Sequence, residues 1–317
     1  MCETTKKMKH FYNPGFIVVK PTLLSCHVYR RMRNITSRST VTDDLLALNK
    51  AISELNKDYI GINVTFLDKR VYMNGCEYFE NMKRMNGFCS LVNNINCSVL
   101  VVHNNWIVSK EAKIHRFREH LMWLYDGENH YYSSQTRKYL TYTNAKPAAL
   151  MSSEENQLKK RQLSALATAL SIGYLLNRTV ILPKFFCGRP SKMFQCPLNS
   201  IIHIKTFDTL LSQRYRENSF LQHPHVPVTV KQNILDQQLV LHTIRSSLRN
   251  KVNKIYSNDV IRLFRNSKHK VINFGILDGI QVINDSTGET INREIFKAFK
   301  LSNYRQLKVG KFISVTL

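Results

Sequence analysis

A polar sequence that follows an apolar run is the first candidate for chemistry in this chain. Residues 99–102 are apolar and predict a buried strand, and His103, Asn104 and Asn105 come at the point where that strand would end. Binding groups are commonly displayed at such exits from a rigid scaffold. An imidazole can ligate a metal ion, and amides can hydrogen-bond a polar ligand. The pattern therefore predicts a ligand-binding turn.

A basic segment lies directly beyond this turn. Lys110, Lys113, Arg116 and Arg118 are spaced so that a helix would bring their charges within one or two turns. Cations of this kind neutralise phosphate oxygens, so the segment suits a diphosphate whose divalent metal is held by His103. A strand followed by a solvated basic helix explains the same residues without a ligand, and spacing alone leaves both interpretations open.

The charge of the chain points to anionic partners. Lys and Arg number 46 against 22 Asp and Glu, a formal net charge of +24 over 317 residues. Nucleic acid, an anionic glycan, a membrane surface and a nucleotide sugar would all suit this charge. The positive residues are spread along the chain without a nucleic-acid-binding motif, so a nucleic-acid partner is not expected.

Cysteine spacing and glycosylation motifs favour an oxidising compartment. The chain has seven cysteines and no Cys-x-x-Cys pair, which argues against a zinc site. Cys89 with Cys97, and Cys187 with Cys196, are close enough to close loops by disulfides. No apolar run approaches the roughly 20 residues of a membrane span, and the first residues lack the apolar core of a signal peptide. Five Asn-x-Ser/Thr motifs permit a lumenal location: Asn34, Asn63, Asn96, Asn177 and Asn284.

Strands alternating with helices predict an α/β architecture with a largely parallel sheet. Strands are expected at 16–20, 63–67, 71–74 and 99–102, and a helix is expected to begin at Asp43 and Asp44. These two carboxylates could simply cap that helix. Strand 139–142, a long helix from Glu154 and strand 179–182 would begin a second unit. We therefore predict one domain at 1–125, a linker at 126–150 and a second α/β domain at 151–317.

An ordered set of short motifs resembles the second half of a nucleotide-diphospho-sugar transferase domain, the family of the plant pectin xylosyltransferases and arabinosyltransferases. The resemblance covers about residues 10 to 125, and its members occur in the family's order. They are Asn13-Pro14-Gly15, Pro21-Thr22, Asp43-Asp44, Leu48-Asn49, Asn74-Gly75, Tyr78-Phe79, His103-Asn104-Asn105-Trp106, Lys113, Arg116 to His120 and Trp123.

This resemblance implies an incomplete GT-A-like, Rossmann-like domain that carries out retaining glycosyl transfer in the Golgi. The donor would be a nucleotide-diphosphate sugar, and the acceptor a glycan or glycoprotein. By the same resemblance His103 would ligate Mn²⁺, while Lys110 or Lys113 contacts the diphosphate with the neighbouring amides of Asn104 and Asn105. Asp44 would be the catalytic residue facing the sugar donor or acceptor.

Two departures from the family pattern bear on activity. Such enzymes carry an Asp-x-Asp motif on an earlier strand, and this sequence contains none. A hard cation bound to diphosphate normally needs carboxylate ligands, so His103 alone makes a poor site. The resemblance also begins near the first residue, so the missing carboxylates and a membrane anchor are expected upstream of this chain. The alternative is a catalytically inactive glycan-binding or scaffold protein.

A second, shorter resemblance concerns the start of the C-terminal half. A helix opening at Asn156-Gln157 and ending before the strand at 179–182 resembles the opening of the nucleotide-binding half of O-fucosyltransferase-type proteins. It covers about 35 residues, and an ordinary helix followed by a strand explains it equally well. No catalytic constellation is predicted in this half.

Overall fold

The computed structural model describes residues 12–38, 43–58, 62–68, 71–81, 99–144, 155–188, 193–237 and 253–283. These residues form a mixed α/β structure in which most strand pairs are parallel, which confirms the predicted fold class. The chain divides into two compact units. Unit 1 comprises residues 1–89 and 93–107, and unit 2 comprises residues 90–92 and 108–317.

Unit 1 contains a helical pair and a small parallel sheet. Helices α1 (Leu23–Arg38) and α2 (Asp44–Asp58) bury Val28, Leu48 and Ile52 between them. Strands β1 (Tyr72–Asn74) and β2 (Val101–His103) pair in parallel. The segments 16–20 and 63–67 are not strands, contrary to the prediction. Their apolar side chains lie in water, with Val18 73% exposed and Phe66 60% exposed, so the burial that would select a strand is absent.

Unit 2 is built on a five-stranded parallel sheet with the order β7-β4-β3-β10-β8. Its strands are β3 (Tyr139–Thr143), β4 (Thr179–Ile181), β7 (Tyr215–Arg216), β8 (Ile234–Asp236) and β10 (Val271–Ile276). A parallel pair, β9 (Asn253–Tyr256) with β11 (Ile280–Ile283), and an antiparallel hairpin, β5 (Phe185–Cys187) with β6 (Phe194–Cys196), complete the strands of the described residues.

Unit 2 contains five α-helices in its described residues, and four of them lie between strands of this unit in sequence. They are α3 (Lys110–Glu119), α4 (Glu155–Leu175), α5 (Ile204–Leu211), α6 (Val228–Gln232) and α7 (Ser257–Phe264). Helix α4 packs closely on the sheet at Gly173, where an added Cβ would lie 2.8 Å from the carbonyl oxygen of Arg178. Within the part of the chain that the structure describes, none of the helices is long and apolar enough to cross a bilayer.

The domain limits predicted from sequence differ from this division. Strand β3 lies inside the predicted linker 126–150, yet it is the central strand of the unit 2 sheet and pairs with β4 and β10. Helix α3 was assigned to the first domain, but it lies in unit 2 and buries His115 and Arg116 there. The limit at residue 125 follows the extent of the family resemblance, and the predicted domain limits remain a prediction.

A disulfide joins Cys187 to Cys196 across the β5–β6 hairpin, as the spacing predicted. Cys76 also carries a disulfide, whereas Cys26 is a free, exposed thiol. The pair Cys89 and Cys97 lies outside the described residues. Gln162 of α4 binds the hairpin through two hydrogen bonds to the backbone of Phe186. Its amide N–H₂ donates to the Phe186 carbonyl at 2.8 Å, and its Oε1 accepts from the Phe186 N–H at 2.8 Å.

We expect the Cys187→Ser, Cys196→Ser double variant to unfold more easily, by about 2–4 kcal/mol, because the closed loop restricts the unfolded chain. The free energy of unfolding in urea measures this loss. The matched control is Cys26→Ser, which removes the exposed free thiol and should leave the free energy of unfolding unchanged within about 0.5 kcal/mol. Equal stability of the double variant and the control would contradict the prediction.

Candidate functional site

The turn after β2 places its polar residues at the carboxyl ends of two neighbouring parallel strands. His103 pairs with Asn74, the last residue of β1. The Oδ1 atom of Asn105 accepts the backbone N–H of Gly75 at 2.8 Å, and the N–H of Asn105 donates to the carbonyl of His103 at 2.8 Å. Asn104 is buried. The predicted exit turn therefore exists, and one of its two amides fixes the ends of the strands to each other.

Gly15 provides the space that His103 occupies. A Cβ atom built on Gly15 would coincide with the imidazole ring of His103, so the ring lies directly against the glycine backbone. Asn13 shapes the turn by accepting the Gly15 N–H on its side-chain oxygen at 2.9 Å. The motif Asn13-Pro14-Gly15 is one of those that resemble the family, but the sequence did not predict that Gly15 makes room for His103. The signal was the glycine itself, which permits a close approach of another group to the backbone.

We expect Gly15→Ala to destabilise unit 1 by about 1–3 kcal/mol, because the methyl group and the His103 ring compete for one space. A double-mutant cycle with His103→Ala isolates this contact. In the His103→Ala background the ring is gone, and Gly15→Ala should be neutral or slightly stabilising. The measurement is the thermal midpoint of all four proteins. Additive effects of the two substitutions would show that the contact does not constrain Gly15.

Asp44, predicted as the catalytic residue, is the first residue of helix α2 and is exposed. Its Oδ1 atom and that of Asp43 both accept the N–H of Leu45, at 2.8 and 2.9 Å. Both carboxylates thus occupy capping positions at the positive end of the helix dipole, which is the alternative that the sequence left open. The catalytic role of Asp44 remains a prediction.

The two predicted diphosphate-binding lysines line one pocket of unit 2, with a volume of about 390 Å³. Lys110 and Lys113 are exposed on the first turn of α3, where the helix dipole also favours negative charge. Ser109 caps this turn, because its Oγ accepts the N–H of Ala112 at 3.2 Å. The His103 turn lies in unit 1 and the lysine pocket lies in unit 2, because the two units divide between Ile107 and Val108.

The lysine pocket also has an apolar, largely aromatic wall. Ile114, Phe117 and Trp123 line it, and the rings of Phe117 and Trp123 are stacked with their centroids 6.4 Å apart. The indole Nε1–H of Trp123 is buried and has no hydrogen-bond partner in the described part of the chain. A pocket lined by both cations and aromatic rings can take a ligand that is both anionic and planar.

The remaining side of α3 is anchored by a buried charge cluster, which consists of Arg118, Tyr131, Arg216 and Glu217. The hydroxyl of Tyr131 donates to Oε2 of Glu217 at 2.7 Å, and the guanidinium carbons of Arg118 and Arg216 lie 3.6 and 4.0 Å from the centre of the Tyr131 ring. Burial, together with the Glu217 charge, raises the pKa of the Tyr131 hydroxyl well above its ordinary value, so this hydroxyl remains a donor. The cluster fixes the helix that carries Lys110 and Lys113.

A divalent metal does not fit the described residues by themselves. They contain no group of three or more His, Cys, Asp or Glu side chains that could hold a metal ion. Asn74, beside His103, already accepts the Glu77 N–H on its Oδ1 atom at 2.9 Å. Hard cations bound to diphosphate need oxygen ligands of higher charge than an imidazole and amides provide.

Comparison with known proteins identifies the segment that carries both the exit turn and the two lysines. Residues 2–117 match the family described as nucleotide-diphospho-sugar transferase. This match covers a little over a third of the chain, and we call residues 2–117 the transferase segment. The transferase segment includes all of the residues predicted to bind the donor, and it continues into helix α3 of unit 2.

The chain is also similar to one curated protein, the arabinosyltransferase XEG113 of Arabidopsis thaliana. It is 24% identical over 207 residues, which cover 56% of this chain and 30% of the relative. The chain therefore spans less than a third of the length of the relative it matches. No solved structure matches the chain. The resemblance of the second half to O-fucosyltransferase-type proteins stays a prediction.

Proposed function

We propose that this protein takes part in glycosyl transfer, in which a sugar passes from a nucleotide-diphosphate donor to a glycan or glycoprotein acceptor. The observation that carries the proposal is the lysine pocket, because it brings Lys110 and Lys113 together in a segment of the transferase family. Two ammonium groups at a helix N-terminus stabilise the negative charge that develops on a departing nucleoside diphosphate. The aromatic wall of Phe117 and Trp123 would receive the nucleobase.

The proposal extends to the transferred sugar, the cellular location and the metal ion. An arabinosyl group is the first sugar to test, since the matched relative is an arabinosyltransferase. A secretory or Golgi location is supported by the disulfide between Cys187 and Cys196, because such bonds persist in oxidising compartments. The predicted Mn²⁺ is tested by comparing donor binding with and without the ion.

Tryptophan fluorescence tests donor binding directly, because the chain contains only two tryptophans. In a Trp106→Phe protein Trp123 is the sole reporter, and titration with uridine diphosphate should quench it to saturation. Lys110→Ala and Lys113→Ala should each weaken binding about tenfold, since each removes one charge-assisted contact to phosphate. Lys160→Ala, which removes an exposed lysine elsewhere in unit 2, is the matched control and should bind normally. Equal affinity in all of these proteins would contradict the donor site.

An inactive glycan-binding protein is the second candidate, and a specific observation favours it. The sequence has no Asp-x-Asp motif, and the described residues offer no cluster of metal ligands. Incubation with UDP-arabinose separates the two proposals. Release of uridine diphosphate that is lost in Lys113→Ala supports glycosyl transfer. Donor or glycan binding without any release, with Mn²⁺ present, supports the inactive protein.

A further inference from the structure

Among the described residues, the connection between β7 and β8 leaves one corner of the unit 2 sheet uncovered. The chain leaves the carboxyl end of β7 after Arg216 and enters the amino end of β8 at Ile234, on the opposite edge of the sheet. Because all five strands are parallel, residues 217–233 must run diagonally across one face. This crossover packs on that face through an apolar cluster. The cluster comprises Tyr132, Tyr139, Ile181, Phe220, Val226, Val230 and Val271.

The side chains on one face of β3 become more exposed from the amino end to the carboxyl end of the strand, as expected if the crossover runs diagonally across that face. Tyr139, at the amino end of the strand, is fully buried, Thr141 is half-buried and Thr143 is exposed, and all three lie on the same face. Asn273 of β10 pairs with Thr141 and is also half-buried. Asp236 of β8 pairs with Asn273 and is exposed. The uncovered corner therefore lies at the carboxyl ends of three neighbouring strands, where ligands of open α/β sheets commonly bind.

Thr141 and Asn273 form a hydrogen-bonded pair in this corner. The Thr141 hydroxyl donates to Oδ1 of Asn273 at 3.2 Å, and the Gly275 N–H donates to the same oxygen at 3.1 Å. Both bonds end on Oδ1, so the two Nδ2 protons of Asn273 have no partner among the described residues. Packing alone would favour apolar residues on a half-buried strand. A row of hydroxyl, amide and carboxylate at this position instead suits a polar ligand.

We propose that this uncovered corner, formed by Thr141, Asn273 and Asp236, is a binding site for a neutral saccharide. Sugar hydroxyls both donate and accept, which matches an amide N–H₂ beside a hydroxyl and a carboxylate. Ile276, which pairs with Thr143 and is 43% exposed, offers an apolar surface to the C–H face of a sugar ring. The site is independent of the lysine pocket.

Binding of neutral trisaccharides to the full chain tests this site. Arabino-, xylo-, galacto- and gluco-trisaccharides are titrated by isothermal calorimetry, and at least one is expected to bind. Thr141→Val keeps the shape of the side chain but removes the hydroxyl, and Asn273→Ala removes the amide. Each is expected to weaken binding about tenfold, as the loss of one buried hydrogen bond does. Thr209→Val, the same substitution at an exposed threonine of α5, is the matched control and should bind normally.

The outcomes distinguish the saccharide from other occupants. Unchanged thermal midpoints in Thr141→Val and Asn273→Ala, together with weakened binding, assign the loss to the ligand and not to the fold. The proposal is overturned if none of the trisaccharides binds at millimolar concentration, or if both variants bind them normally. Competition between uridine diphosphate and the trisaccharide that persists in Lys110→Ala, Lys113→Ala protein would overturn it as well, because the corner would then be a nucleotide site.

Discussion

Glu217→Ala is expected to lower the free energy of unfolding of unit 2 by about 3–5 kcal/mol. Glu217 is completely buried, and its carboxylate accepts the hydroxyl of Tyr131 and interacts electrostatically with Arg118. Removing it leaves positive charge in the interior without its counter-charge, and it leaves the Tyr131 hydroxyl without its acceptor. Urea denaturation followed by far-UV circular dichroism measures the loss.

Two further variants show whether charge or hydrogen bonding is responsible. Glu217→Gln keeps an acceptor for Tyr131 but removes the negative charge, and we expect an intermediate loss of stability. Glu128→Ala removes an exposed glutamate of the same unit and is expected to change stability by less than about 0.5 kcal/mol. If Glu217→Ala were as stable as Glu128→Ala, the buried charge cluster would not hold the fold.

Arg178→Ala is expected to cost roughly 3–5 kcal/mol, because one buried guanidinium satisfies several backbone carbonyls and fills the space between them. Its Nη1 atom donates to the carbonyls of Tyr139 and His269 at 3.1 and 2.9 Å, and its Nη2 atom donates to that of Ser267 at 3.1 Å. Arg178 is 2% exposed. It therefore joins the start of β3 to the segment that precedes β10, although these lie far apart in sequence.

The matched control for this prediction is Arg262→Ala. Arg262 is an exposed arginine of α7 whose ion pair with Asp259 is on the surface, and its loss should cost less than about 1 kcal/mol. Arg178→Lys tests the shape of the group, because an ammonium cannot reproduce a planar fork of donors. We expect Arg178→Lys to recover only part of the stability. Full recovery would mean that positive charge alone is needed at this position.

Local patterns predicted much of the fold because the relevant forces act within a few residues. The start of α2 at Asp43 and Asp44 and the disulfide of Cys187 with Cys196 depend on neighbours in sequence, and both were predicted. The strands predicted at 16–20 and 63–67 are wrong, because a strand needs a partner and a covering layer that the local pattern does not specify.

The candidate site was predicted only in part, for a similar reason. Lys110 and Lys113 line one pocket, but its lining also includes Trp123, which lies beyond the end of the helix. Arg116 was expected to be a solvated or ligand-binding cation, and it is 2% exposed in the interior of unit 2. A sequence shows which residues carry charge, but it does not show which of them tertiary contacts will bury.

Two different boundaries between the halves of the chain can be drawn at or near helix α3. The family match ends at residue 117, within the helix, whereas the compact units divide between Ile107 and Val108. A recombinant fragment cut where the family ends would separate the C-terminal half from His115 and Arg116, which are part of its interior. Expression of the C-terminal half should therefore begin at Val108, and any shuffling of this half between proteins would have to carry α3 with it.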